Sequence, residues 1–207
     1  MTLRILLILA LALPLAAQRR PEAPRWDQIY AGRDAKVPVN PSTLVLETLA
    51  NATPGSALDI GMGNGRNAIY LARKGWKVTG IDISSEAVKL AQAEAKKLNV
   101  PLEASVSRFE DLPAYLNRYD VILCMYIEEL TTKNAKKIMD MLKPGGLLVV
   151  EGYHEAAPGQ RGYATNQLLR TFNRLHIVRY EDREMQPEWS LGPGARVPVI
   201  RLVARKD

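Results

Sequence analysis

The chain has 207 residues, which suits one domain with one substantial hydrophobic core. Residues 1–20 hold three arginines and no acid, so the formal net charge of +6 leaves +3 on the remainder, too little to predict a nucleic-acid-binding protein. The single Cys124 excludes an intrachain disulfide and a cysteine-cluster metal site, and two histidines far apart in sequence argue against a zinc site.

The first 25 residues have the composition of a targeting segment followed by a linker. Arg4 precedes an apolar run, Ile5 to Ala17, that ends in small residues, which is typical of a secretory signal peptide. At about thirteen residues the run is short for a membrane span. Two alternatives to a signal peptide remain. The first is a reversed membrane anchor, because the arginines after the run outnumber Arg4 and positive residues tend to remain in the cytoplasm. The second is a wrongly assigned start site. We therefore expect a signal-like or anchor segment over 1–17, a linker over 18–25 and a single domain over 26–207.

Two segments precede the first strand. Trp26 and Tyr30 stand at helical spacing, which would let them pack against the domain. Residues 41–50 predict a helix, since Pro41 suits a first helical turn and leucines supply its apolar face.

A glycine-rich turn then follows an apolar strand, Ser56 to Ile60. Glycines at 61, 63 and 65 let a ligand approach the backbone, and a helix from about Arg66 to Lys74 points its free N–H groups into the same space. The next strand, residues 76–82, ends in Asp82, whose carboxylate can accept hydrogen bonds from ribose hydroxyls. The turn is G-x-G-x-G with Arg66 in the sixth position, so the dinucleotide pattern G-x-G-x-x-G is not met.

The rest of the chain alternates strands and helices and then changes to strands. This order predicts an α/β protein whose parallel sheet is covered on both faces. After a helix capped by Ser84, the predicted strands are Leu102 to Val106, Tyr119 to Cys124, Leu147 to Gly152, Leu175 to Tyr180 and Val197 to Ala204. The predicted helical segments are Asp111 to Asn117 (short helix or turn), Thr131 to Met141 and Gln167 to Phe172.

Three motifs in order resemble those of class I S-adenosylmethionine-dependent methyltransferases: residues 57–67, residues 75–84 and residues 142–148. The Gly65-Arg66-Asn67 ending and residues 200–205 resemble the small tellurite-resistance and thiopurine-type methyltransferases. The resemblance covers residues 26 to 205. It implies a Rossmann-like, doubly wound, seven-stranded sheet, mostly parallel, with an antiparallel last strand beside the fifth, and S-adenosyl-L-methionine as cofactor.

The resemblance also implies a set of cofactor-binding residues. Asp59 and the glycine turn would hold the methionine end, Asp82 the ribose, Ile83 and the Phe109 N–H the adenine, and the end of the fourth strand the methyl pocket. Family members often carry an acid where this chain has Arg108, and Glu110 is a candidate replacement. Simpler roles are turn stabilisation for Asp59, helix capping for Asp82, solvent exposure for Glu110 and core packing for Cys124 and Ile83. The expected cofactor contacts are Asp59, Gly61, Gly63, Asn64, Gly65, Asn67, Asp82, Ile83, Phe109, Glu110, Cys124 and Met125.

On the acceptor side, His154 is the first candidate base. Tyr126 could face the sulfonium, and Glu129 stands with Glu128 where relatives often carry an acid or a histidine, although paired acids at a helix start are commonly solvated. Substrate contacts are expected from Tyr30, Tyr153 and two loops, 155–166 and 185–196, the second with Trp189.

The function implied is methyl transfer to a small-molecule oxygen, sulfur, nitrogen or metalloid acceptor by in-line displacement, with no metal and no nucleic acid. A non-catalytic S-adenosylmethionine-binding domain is the first alternative, and an NAD-dependent oxidoreductase the second. Cofactor supply favours a domain facing the cytoplasm, whereas residues 1–17 favour export or membrane association. The sequence does not decide between these locations, nor does it give the oligomeric state.

Overall fold

The computed structural model describes residues 22–32, 37–190 and 195–207. The predicted segment 1–17 and the first part of the linker lie outside these ranges. The first described helix, α1 (Glu22–Ala31), includes the last four residues of the predicted linker. None of the helices in the described ranges is long and apolar enough to cross a membrane.

In the described part of the chain, seven strands form one sheet in the order β3-β2-β1-β4-β5-β7-β6. The neighbours from β3 to β5 pair in parallel, whereas β7 runs antiparallel between β5 and β6. The predicted fold class and the antiparallel last strand beside the fifth are therefore confirmed. The strands are β1 (Ser56–Ile60), β2 (Lys77–Asp82), β3 (Glu103–Val106), β4 (Tyr119–Met125), β5 (Leu142–Tyr153), β6 (His176–Met185) and β7 (Val197–Arg205).

The helices cover both faces of the sheet, and two hydrophobic clusters alternate along its strands. In β1, Leu58 and Ile60 pack into one cluster while Ala57 packs into the other; in β4, Ile122 and Leu123 divide in the same way. This period of two, with apolar residues on both faces, is what burial beneath two helical layers requires. The remaining helices are α2 (Thr43–Leu49), α3 (Arg66–Arg73), α4 (Ser85–Lys97), α5 (Glu128–Lys133), α6 (Ala135–Met141) and α7 (Gln167–Thr171).

The helix predicted from Thr131 to Met141 is wrong at its start and in its continuity. It begins at Glu128 and is interrupted at Asn134, whose side chain donates to the Leu130 carbonyl. Thr131 is buried inside α5 and donates its hydroxyl to the carbonyl of Ile127, one turn back, so it does not cap a helix. In the segment 111–117, only Asp111 is helical, as the last residue of a 3₁₀ turn, Phe109–Asp111.

Candidate functional site

The carboxyl ends of β1, β2 and β4 open into one cavity of about 320 Å³. This is the edge of an open α/β sheet where ligands generally bind, because the strand order reverses here between β1 and β4. Most of the predicted site residues line it: Asp59, Gly61, Gly63, Asn64, Asn67, Asp82, Ile83, Phe109, Met125, Tyr126 and Glu129.

Asp82, at the end of β2, is fixed by the backbone around it. Its Oδ2 accepts from the Gly63 N–H and its Oδ1 from the Ser84 N–H, both at 2.8 Å. Burial raises the pKa of Asp82, although these hydrogen bonds oppose the rise. The carboxylate therefore bridges the glycine turn and the start of α4 while it faces the cavity.

Asp59 presents an unsatisfied carboxylate oxygen at the cavity. The residue is 2% exposed, and its Oδ2 has no hydrogen-bond partner in the part of the chain that the structure describes. Burial raises its pKa to about 7; Arg66 opposes this rise and Asp82 adds to it. A buried polar atom without a partner is rare and points to a missing donor.

The turn between the two acids requires glycine. Gly61 and Gly63 have φ values of 66° and 58°, which other residues rarely adopt. A Cβ at Gly61 would lie 2.9 Å from the Ile127 side chain, and one at Gly63 would collide with the Tyr30 hydroxyl. The turn thus keeps its backbone close to the cavity and to residues that cover it.

Helix α1 and Trp189 form an aromatic roof, which we define as Trp26, Tyr30 and Trp189. The three ring centroids lie 6.2–6.4 Å apart. Asp27 fastens α1 to the start of α4: its Oδ1 accepts from the Ser84 hydroxyl at 2.7 Å and from the Glu86 N–H at 3.2 Å. Burial raises the pKa of Asp27, but these bonds outweigh it and hold the pKa below its ordinary value.

Four predicted site residues do not line the cavity. Gly65 caps α3, and a Cβ there would meet Ala91 of α4. Glu110 forms an ion pair with Arg108 at 3.5 Å, and neither faces the cavity. Cys124 is fully buried in the core, where burial raises the pKa of its thiol to about 12.

His154, the predicted acceptor base, is the fourth residue that lies outside the cavity lining. Its ring nitrogens are held by the Thr165 hydroxyl at 3.0 Å and the Ala156 N–H at 2.9 Å, and Asp182 lies 3.8 Å away. The first two contacts hold the loop after β5 together, and Asp182 belongs to β6, which lies on the far side of β7 from the glycine turn. Tyr153, another expected substrate contact, also does not line the cavity; its hydroxyl donates to the Trp189 carbonyl.

Tyr126 and Glu129 reach the cavity but are engaged elsewhere. The Tyr126 hydroxyl donates to Glu151 at 2.6 Å and accepts from the Glu188 N–H at 2.8 Å, so its oxygen is not free to act as a base. Glu129 forms an ion pair with Lys133, and 61% of its side chain is exposed. The ring of Tyr126, in contrast, contributes to the wall.

Several lining residues were not among the predicted contacts. Arg66, used in the sequence only as the residue that breaks the dinucleotide pattern, donates to the Asn40 carbonyl and lies 3.9 Å from Glu188. The sequence signal that Arg66 lines the cavity is its place at the first helical position after the glycine turn. Ser107 and Ile127 also line the cavity, and neither carries a sequence signal. Glu128, the neighbour of Glu129, faces the cavity from the first position of α5.

A family model described as "Methyltransferase domain" matches residues 57–146, the segment that builds the glycine turn, Asp82 and the end of β4. The chain is 37% identical over 103 residues to a ribosomal protein L11 methyltransferase of Geotalea uraniireducens, which covers 48% of this chain and 31% of that protein. It is 32% identical over 131 residues to a ubiquinone biosynthesis O-methyltransferase of Xanthomonas campestris pv. campestris, with 61% and 55% covered. The chain thus spans between a third and just over half of the length of these relatives.

Among solved structures, the fold is similar to TehB from Haemophilus influenzae, with a TM-score of 0.68 at 19% identity. The match covers 79% of this chain and 61% of that chain. At this identity the likeness is one of fold, and it agrees with the strand order of the sheet.

Proposed function

We propose that the chain is a class I S-adenosylmethionine-dependent methyltransferase that methylates a small-molecule acceptor with S-adenosyl-L-methionine. Its motifs, the matched domain and its fold support this proposal. The proposal rests chiefly on the two carboxylates that flank the glycine turn. Asp59 and Asp82 both line the cavity, and Asp59 keeps a buried oxygen without a partner.

The functional groups of the cofactor fit these two carboxylates. Its methionine end carries an ammonium group, which would give the Asp59 Oδ2 the donor that it lacks. Asp82 would accept from the ribose hydroxyls, and Ile83 and Phe109 would border the adenine. The Gly61–Gly63 backbone leaves room for the chain that joins the two ends.

The same geometry disfavours a dinucleotide. A pyrophosphate bound at this turn would lie beside the buried carboxylate of Asp59, which would repel it when ionised. Arg66, a cation of the lining, is held by the Asn40 carbonyl and lies close to Glu188. An NAD-dependent reaction therefore has less support than methyl transfer.

The bound cofactor supplies a methyl group on a positively charged sulfur, an electrophile that needs no further activation. The chain's own residues have to align the acceptor and exclude water. The ring of Tyr126 forms part of the wall, and the aromatic roof covers the cavity above it. Such positioning can lower a barrier by roughly 7–11 kcal/mol. The engagement of Tyr126 and Glu129 is therefore compatible with an enzyme.

We favour a small acceptor because the roof covers the cavity. Trp26, Tyr30 and Trp189 lie along a half-open cavity of about 320 Å³, which is the scale of a small-molecule site. One relative is named for a ribosomal protein and the other for ubiquinone biosynthesis, so their names include a protein acceptor and a small-molecule pathway. The aromatic roof supports a small-molecule acceptor for this chain.

The test is calorimetric titration of the full chain with S-adenosyl-L-methionine and, separately, with NADH. We expect micromolar binding of the methyl donor, at least tenfold weaker binding in Asp82→Ala, and none of NADH. Asp140→Ala is the matched control, since Asp140 pairs with Lys136 on α6 and does not line the cavity. A folded chain that binds NADH and not the methyl donor would overturn the proposal.

A further inference from the structure

Glu128 is a partly buried carboxylate in the wall of the cavity, and the proposed cofactor does not use it. Its Oε1 accepts from the Tyr153 N–H at 2.8 Å. Within residues 22–32, 37–190 and 195–207, no lysine or arginine forms an ion pair with it. Burial raises the pKa of Glu128, and its backbone hydrogen bonds oppose the rise only in part.

Three arginines line the cavity, and none of them pairs with Glu128. Arg66 lies 3.9 Å from Glu188, and Arg161, whose side chain is 97% exposed, lies 4.0 Å from Glu129. Arg25 lies over the Trp26 ring, 5.8 Å from its centroid. Taking a carboxylate out of water without a counter-charge costs free energy. Because no lysine or arginine of the described residues pairs with Glu128, a cationic ligand would complete this part of the site.

The surroundings of Glu128 are apolar and aromatic. Ile127 and Leu130 flank it in the lining, the ring of Tyr126 stands on the same wall and Trp189 belongs to the roof. The roof rings are packed against one another, so a cation would not fit between them, but their faces and the aliphatic side chains offer an apolar surface to a ligand's body.

We infer that Glu128 binds the ammonium group of a small amine with an aromatic or aliphatic body, and that this amine is the methyl acceptor. The inference rests on the proposed function and gives its acceptor class. A selenite or tellurite oxyanion would be repelled by the carboxylate of Glu128, so this inference disfavours these acceptors.

The step balances with the groups named. Glu128 takes one proton from the ammonium, which frees the nitrogen lone pair. The lone pair forms a bond to the methyl carbon while the carbon–sulfur bond breaks and its electron pair returns to sulfur, giving a neutral thioether. The product is a methylated ammonium, and the proton on Glu128 passes to solvent when the product leaves. Glu128 would thus be a catalytic residue that contacts the acceptor.

The test uses the full chain, S-adenosyl-L-methionine and four probes that differ in their nucleophile: 2-phenylethylamine, 2-phenylethanethiol, phenol and selenite. Methylated products are followed by mass spectrometry. We expect the amine to be methylated in preference, and Glu128→Gln to lower kcat/KM for it by about a hundredfold or more. The glutamine keeps the acceptor for the Tyr153 N–H, and cofactor affinity should stay within about threefold. The control is Glu94→Gln, because Glu94 pairs with Lys97 on the exposed side of α4 and does not line the cavity, so turnover should be unchanged.

Unchanged turnover in Glu128→Gln would overturn the inference. So would a chain that binds the methyl donor but neither binds nor methylates the amine, or one that prefers the thiol, the phenol or selenite. Loss of methyl-donor binding by the wild-type chain would instead refute the proposed function, and with it the inference that rests on it.

Discussion

Replacing Asp59 by asparagine should stabilise the unliganded protein and weaken cofactor binding. The carboxylate is buried with one oxygen unsatisfied, and burial raises its pKa to about 7 from the model-peptide value of 3.8. It therefore costs stability once it ionises. Asparagine has nearly the same shape and no charge, so it removes this cost together with the charge that would hold an ammonium group.

The size and the pH dependence follow from the two pKa values. A difference of about three units corresponds to about 4 kcal/mol. Below pH 4 Asp59 is neutral in both the folded and the unfolded state and costs nothing. As the pH rises from 4 to 7 the unfolded chain ionises first, and the folded state loses stability until the full cost is reached above pH 7. Asp59→Asn should thus gain about nothing at pH 4 and about 2–4 kcal/mol at pH 8.

Urea unfolding of the unliganded wild type and Asp59→Asn at pH 4 to 8 measures this difference, and calorimetric titration measures cofactor affinity. Loss of a charge-assisted hydrogen bond should weaken binding by about 1.5–3 kcal/mol, roughly ten- to 150-fold. If the substitution destabilised the protein by the same amount at every pH, Asp59 would be stabilising the turn, and the reasoning from its unpaired oxygen would be refuted.

Two further predictions concern Gly63 in the glycine turn and His154 outside the cavity. Gly63→Ala should cost about 1–3 kcal/mol of stability from its positive φ and should also displace Tyr30 and weaken cofactor binding; Gly159→Ala, with a φ of 71° and open space around it, should show only the backbone cost in unfolding and titration experiments. His154→Ala should leave kcat/KM within about threefold, because the ring lies outside the cavity, and should cost about 1 kcal/mol of stability from its lost hydrogen bonds; a hundredfold loss of turnover with unchanged stability would restore His154 as the base.

The sheet and the cofactor side of the cavity could be predicted because their signals are local. The glycines need positive φ, the acids stand at strand ends, and the strands carry continuous apolar runs. The resemblance carried by the three motifs then implied an antiparallel last strand beside the fifth, as the sheet has it. Asp59 and Asp82 were accordingly placed on the cavity before any side-chain contact was known.

The acceptor side depends on contacts between distant segments. His154 was favoured because histidine titrates near neutral pH, yet its position is decided by Thr165 and Asp182, which the local pattern does not reveal. Of the adjacent acids, Glu129 pairs with Lys133 in solvent while Glu128 turns inward to the end of β5. One step along a helix rotates a side chain by about 100°, so their separation required the structure.

Ser84 connects helix α1, which carries two residues of the aromatic roof, to Asp82 at the end of β2. Its N–H donates to Asp82, which would bind the ribose, while its hydroxyl donates to Asp27, which secures α1. Any factor by which a closed α1 increases cofactor affinity is therefore the factor by which bound cofactor favours the closed α1. If α1 opens, its opening and the release of the demethylated cofactor would therefore be coupled. A substitution at Ser84 would change both.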